Sequence, residues 1–182
     1  MHLYLIRHPH PEVEPGLCYG RSDLSLIEDA TICAARIAPL LPAAAPVYSS
    51  PLKRCRQLAD ALSPTPYLDP RLMELDFGAW EMLPWDAISP SALDAWAANP
   101  LHFKGHGGES AAELRARVAA FLDDHTDHDE LVLVTHGGVM KACASLLLGL
   151  PTSEWMAMPF ELATVTLIGK GRLLWHNRAH GS

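Results

Sequence analysis

Apolar and polar positions divide the chain into short apolar runs and longer helical stripes. Leu3-Tyr4-Leu5-Ile6 is apolar at consecutive positions and stops abruptly at Arg7-His8-Pro9. A run without alternation predicts a strand covered on both faces. Pro9 to Asp23 holds three prolines and two glycines and reads as a loop. Ser25-Leu26-Ile27-Glu28 has capping-box spacing and predicts a helix start. Ala30, Ala34, Ile37, Ala38 and Leu41 continue as its apolar stripe until Pro42 to Pro46 breaks it. Val47-Tyr48-Ser49-Ser50 is a second short strand. Pro51 suits the first turn of a helix whose apolar face is Leu52, Cys55, Leu58, Ala59 and Leu62.

The middle of the chain is less periodic. Pro64 to Gly78 reads as extended or irregular. The stretch 80–108, rich in Trp, Pro, Ala and Gly, reads as an insertion with a short helix near Ser91 to Ala98. A second capping box, Ser110 to Glu113, opens a helix carrying Leu114, Val118, Phe121 and Leu122. Leu131-Val132-Leu133-Val134 is the clearest buried strand; it ends in Thr135-His136-Gly137-Gly138, and a helix from Val139 to Leu148 follows. Near the end, Ala163, Val165 and Leu167 alternate with Thr164, Thr166 and Ile168. Gly169-Lys170-Gly171 then turns the chain back through Leu173-Leu174-Trp175, a hairpin. Strands alternating with helices predict an α/β fold: a three-layer, mostly parallel sheet with helices on both faces and a C-terminal β-hairpin. One domain over 1–182, with a lid-like insertion around 80–108, accommodates all of it.

Composition narrows the function classes. With 182 residues, 49% hydrophobic and 19% charged, the chain has an ordinary globular balance. Its net charge of −7 argues against a general nucleic-acid or anionic-membrane binder. Any anionic ligand must be held by a local cluster of positive groups. Cys18, Cys33, Cys55 and Cys143 are widely spaced with no C-x-x-C, which speaks against a zinc cage or redox dithiol. The apolar N-terminus is too short for a signal peptide, and no run reaches membrane-spanning length. The expectation is a cytoplasmic protein with reduced thiols.

The chemistry gathers where three strands end. In open α/β sheets ligands bind at the carboxyl ends of the strands. The first strand ends at Arg7-His8, the second at Ser49-Ser50 with Arg54 one turn on, and the third at Thr135-His136-Gly137. The topology thus brings two histidines and two arginines to one edge. Arginine's planar fork matches phosphate oxygens, and Gly137-Gly138 lets backbone N–H groups approach an anion at a helix start. A histidine there can act as nucleophile, acid or base.

Leu5-Ile6-Arg7-His8 with Ser49-Ser50-Pro51-Leu52-x-Arg54 resembles the histidine phosphatase superfamily, also called phosphoglycerate mutase-like. Arg71-Leu72-Met73-Glu74-Leu75-x-Phe77-Gly78-x-Trp80-Glu81 resembles its acid segment. Gly107-Gly108-Glu109-Ser110 and Val134-Thr135-His136-Gly137-Gly138 are similar to its later blocks. The resemblance implies the phosphoglycerate mutase-like fold and a phosphomonoesterase that needs neither metal nor cofactor. It implies His8 as nucleophile, Arg7 and Arg54 as phosphate clamps, and His136 as the completing wall of the pocket. Glu74 would protonate the leaving oxygen and then activate water. Tyr19 and Gly137 are expected near the phosphate. The partner is a small phosphorylated substrate. Gly16-Leu17-Cys18-Tyr19-Gly20-Arg21-Ser22-Asp23 resembles α-ribazole phosphatase-like members, which act in cobalamin synthesis. Pro9 stands where the family has glycine, removing an N–H donor. Met82 and Gln57 also depart from the pattern.

Other readings stay open: a phosphoglycerate mutase, a non-catalytic phospho-ligand binder, and, from ten histidines alone, a metallohydrolase. His102 and His106 have i, i+4 spacing, but the surrounding Pro and Gly argue against a helix. His125 and His128 read as a solvated turn. Ser110 reads as a cap. Trp80, Trp85 and Trp96 read as core or lid residues, with a pocket wall as the other possibility. Oligomeric state and physiological substrate are not legible.

Overall fold

A computed structural model describes residues 1–179; His180-Gly181-Ser182, for which the sequence predicts no element, lie outside the described residues. Six strands form one mixed sheet: β1 (His2–Arg7), β2 (Val47–Ser49), β3 (Tyr67–Leu68), β4 (Glu130–Thr135), β5 (Val165–Gly169) and β6 (Arg172–Arg178). Their spatial order is β3-β2-β4-β1-β5-β6. The first three pairings in that order are parallel, and β1–β5 and β5–β6 are antiparallel.

The consecutive apolar residues of β1 and β4 face two cores. Leu3, Leu5, Leu131 and Leu133 pack with Leu114, Val118 and Phe121 of α4 (Ala111–Asp123) and with Val139, Met140 and Cys143 of α5 (Gly137–Leu148). Tyr4, Ile6, Val132 and Val134 pack on the other face with Cys33 and Ile37 of α1 (Ala30–Ile37). Cys55 and Leu58 of α2 (Lys53–Leu62) complete that layer. Successive side chains of a strand point to opposite faces, so an unbroken apolar run supplies both layers. In the middle of the chain α3 (Pro90–Ala98), capped by Ser89, begins one residue from where the sequence predicts a helix.

The structure corrects four details. The first helix starts at Ala30, not Ser25: Asp29 is its N-cap, accepting from Thr31 N–H at 2.8 Å, and Glu28 pairs with Arg36 at 2.9 Å. The carbonyl of Ser25 instead accepts from Glu12. Pro51 precedes α2, whose N-cap is Leu52, with Asp23 Oδ1 accepting from Lys53 N–H at 2.7 Å. His125 is not simply solvated: it stacks on Phe121 at 4.3 Å, and Nδ1 and the Phe121 carbonyl are 2.7 Å apart. A short helix, α6 (Thr152–Ala157), lies where no periodicity marks one.

Candidate active site

Strand register assembles the site. Arg7 pairs with Thr135 across β1–β4, and Ser49 with Val134 across β2–β4. All three strands therefore finish at the same level. Just past their ends, His8 N–H donates to the Thr135 carbonyl and Ser50 N–H to the Val134 carbonyl, both at 3.0 Å. His8, Ser50 and His136 are thereby held side by side.

His8 is buried, with Nδ1 2.7 Å from the carbonyl of Pro9. A carbonyl only accepts, so Nδ1 carries the proton and Nε2 the lone pair. The proline loses an N–H donor, yet its carbonyl is the group that fixes the ring. Arg54 Nε donates to His8 Nε2 at 3.3 Å. Burial, and next the Arg54 guanidinium, push the His8 pKa down to about 3 against an opposing pull from Pro9, so the ring is neutral.

Arg54 is fully buried on α2. Its terminal nitrogens donate to the carbonyls of Ser22 at 2.7 Å and Gly20 at 2.5 Å. Tyr19 lies against it, the guanidinium carbon 5.5 Å from the ring centre. Tyr19 is thus beside the site, through its ring face. His136 is fully buried, edge-on to His8 with ring centres 5.1 Å apart. It occupies the N-cap position of α5 but makes no side-chain cap bond; its Nε2 is 2.8 Å from Ser50 Oγ. Cys55 Sγ lies 3.3 Å from the same nitrogen. Burial, Arg54 and His8 hold its pKa well below the ordinary value.

Arg7 and Glu74 lie at the first turn of α5, beside Gly137 and Gly138. Arg7 Nη1 donates to the Phe160 carbonyl at 2.5 Å, while its buried Nε has no partner among the described residues. A buried donor without an acceptor calls for an explanation, and an arriving anion is one. The Glu74 carboxylate accepts from Leu75 N–H at 3.0 Å and from Gly138 N–H at 3.1 Å to both oxygens. Glycine at 138 leaves the carboxylate its place, since a Cβ there would come within 2.3 Å of Glu74 Oε1 and push it aside. Gly137 stands beside the Arg7 guanidinium, where a Cβ would be 3.5 Å away. Both Arg7 and Glu74 open onto one cavity of about 520 Å³.

Of the supporting residues, Arg117 carries no sequence signal, whereas Glu81, Glu109 and Arg21 stand in the blocks that carry the family resemblance. Arg117 grips Glu109 with two nitrogens, at 2.6 and 2.8 Å, and donates to the Glu74 carbonyl at 3.1 Å. Arg21 reaches the same carbonyl at 3.4 Å. Glu81 accepts from the backbone of Gly20, Arg21, Ser22 and Phe77 and from the Ser22 hydroxyl. Those bonds hold its carboxyl below the usual range against the upward push of burial. Long-range pairs of this kind have no fixed spacing to read. Trp80 is buried in an aromatic cluster with Trp85, Trp96, Phe103 and His106, and Trp96 also reaches the cavity wall. His106 Nδ1 accepts from Gly108 N–H at 3.0 Å. Among the described residues no group of three or more His, Cys, Asp or Glu has the geometry to hold a metal, and no helix is long and apolar enough to cross a membrane.

The chain also resembles known proteins. The family model of the histidine phosphatase superfamily (branch 1) matches residues 3–178. Glucosyl-3-phosphoglycerate phosphatase of Mycolicibacterium vanbaalenii is 31% identical, over 98% of this chain and 86% of its own. Phosphoserine phosphatase 1 of Hydrogenobacter thermophilus is 30% identical, over 91% and 85%. Among solved structures, TTHB049 from Thermus thermophilus aligns at a TM-score of 0.79 with 30% identity, over 97% of this chain and 99% of that one. The match spans the strand ends, the acid segment and the hairpin alike, and the chain belongs to the histidine phosphatase superfamily, branch 1.

Proposed function

We propose that His8 Nε2 is the nucleophile of this phosphomonoesterase and forms a phosphohistidine. The observation that carries the reading is the state of the ring: Nδ1–H is tied to Pro9, and the Nε2 lone pair faces the Arg54 guanidinium. Attack forms the N–P bond and breaks the bond from phosphorus to the ester oxygen. Arg54 Nε, now on Nε2, would meet a phosphoryl oxygen. The unpartnered Arg7 Nε would meet another, and the neutral His136 ring would wall the pocket opposite His8. Glu74 would give its proton to the leaving oxygen. In the second step it would take a proton from water, whose oxygen replaces His8 on phosphorus and releases phosphate.

These cations are the groups that balance the developing charge, so the reading needs no metal step. A single domain, a lid role for 80–108 and a cytoplasmic setting belong to the same proposal. Small phosphomonoesters are the substrates; α-ribazole phosphate, whose flat ring suits the Trp96 side of the cavity, is to be assayed with them.

Hydrolysis of phenyl phosphate in excess EDTA, wild type beside H8A, tests the reading. Turnover by the wild type and its loss in H8A is expected. Equal turnover by both refutes it. Vanadate binding without turnover would indicate a phospho-ligand binder, and transfer of the phosphoryl group to a second hydroxyl acid instead of water a mutase.

A further inference from the structure

We propose that Lys141 makes the leaving-group cavity selective for phosphomonoesters carrying a second anionic group, a carboxylate, on a short apolar leaving group. This rests on the reading above, in which Arg7 meets the phosphoryl group and Glu74 the leaving oxygen, so that the cavity these two line takes the leaving group. Much of the cavity wall is apolar, including Phe77, Trp96, Leu114, Trp155, Met158 and Phe160. Such a wall strips water from whatever enters, so a charged substituent is admitted only where a partner awaits it. Arg7, Glu74 and Lys141 are the charged residues among those lining it.

The three are not equivalent. Glu74 is already held by the N–H groups of Leu75 and Gly138. Lys141 has three N–H donors and, among the described residues, makes one hydrogen bond, to the Met156 carbonyl at 2.7 Å. Burial pushes its pKa down, with Glu74 pulling the other way. An arriving carboxylate would offset what burial takes from the ammonium.

Helix geometry sets the spacing. Gly137 and Lys141 are four residues apart on α5 and share a face. The Arg7 guanidinium lies beside Gly137, and the backbone of Lys141 is one turn further on, roughly 5 Å along the axis. A carboxylate a few bonds from the ester oxygen therefore extends toward Lys141 when the phosphoryl group lies at Arg7. 3-Carboxyphenyl phosphate is such an ester, and phenyl phosphate is the counterpart that lacks the carboxylate.

The experiment measures kcat/KM for both esters with the full-length wild type, K141M and K141R. Affinities of the matching phosphonates, by calorimetry, accompany them. The wild type is expected to prefer the carboxylated ester, K141M to lose about tenfold of that preference, and K141R to keep it. A preference for phenyl phosphate in the wild type overturns the proposal. So does an equal loss on both esters in K141M, which would mean that Lys141 only balances Glu74. If the wild type hydrolyses neither, the hydrolytic reading fails by itself, and the phosphonate affinities still decide the role of Lys141: unequal affinities that level out in K141M support it, and equal ones overturn it.

Discussion

A backbone carbonyl, that of Pro9, sets the proton on His8, and two backbone N–H groups hold Glu74. At the residue scale the division of labour between these side chains is therefore testable by leaving group. Glu74→Gln cannot donate the same proton. It is expected to slow phenyl phosphate by about a hundredfold, a typical worth of acid–base catalysis, and 4-nitrophenyl phosphate by far less, because nitrophenolate leaves unaided. Steady-state kcat for the two esters checks this; equal slowing would take the acid role from Glu74. Gly138→Ala forces the carboxylate aside and is expected to show the same asymmetry. The residue scale was also the most legible in sequence. His8, Arg54 and His136 follow strand ends, and strand ends are marked by where apolar runs stop. The tautomer of His8 was not legible, because it depends on where one carbonyl points.

At the scale of elements, the loop 20–22 is a part of the site that sequence spacing does not reveal. Its carbonyls fix the Arg54 guanidinium, and Glu81 fixes its N–H groups. Glu81→Ala leaves those groups unpaired and frees Arg54 to move. A loss of about a hundredfold in kcat/KM is expected, since misplacement by an ångström carries that cost. The circular dichroism spectrum should stay unchanged; full activity in this variant would show that the loop does not position Arg54. The hairpin was plain in sequence, and its turn explains why. Lys170 and Gly171 both have positive φ, at 51° and 71°, as a two-residue hairpin turn requires. Lysine is a poor fit there, so Lys170→Asn is expected to raise stability by about 0.5 kcal/mol, read from the urea midpoint. By contrast, α6 has six residues and no usable periodicity, and Ser25 mimics a cap that Asp29 provides. Short elements are decided by tertiary contacts, which the local pattern does not carry.

At the scale of the whole molecule, parallel strands of equal reach explain how residues far apart in sequence converge. The same convergence places two neutral histidines in the interior, which has a consequence for global stability. His8 is held near 3 in the folded protein against about 6.5 unfolded, so the unfolded chain binds more protons between those values. Stability is then complete above about pH 6.5 and falls as pH drops below it. At pH 5 the loss from His8 is roughly 2 kcal/mol, and His136 acts in the same direction. Urea unfolding at pH 7 and pH 5 reads the loss, and His8→Asn should diminish it; an identical loss in that variant would show that His8 is not the proton acceptor. The overall architecture was legible because the pattern repeats across many residues. The cavity was not, since its walls come from segments as distant as Phe77, Leu114 and Phe160. The claim on which all else depends is covalent: phosphorus passes through His8. Mixing the enzyme with substrate in EDTA, quenching within milliseconds in alkaline denaturant and mapping the protein by mass spectrometry tests it most directly. A phosphoryl group on His8, absent from His8→Asn, is the expected result. Full turnover with no phosphoryl group on His8, or with one on another residue, would contradict it.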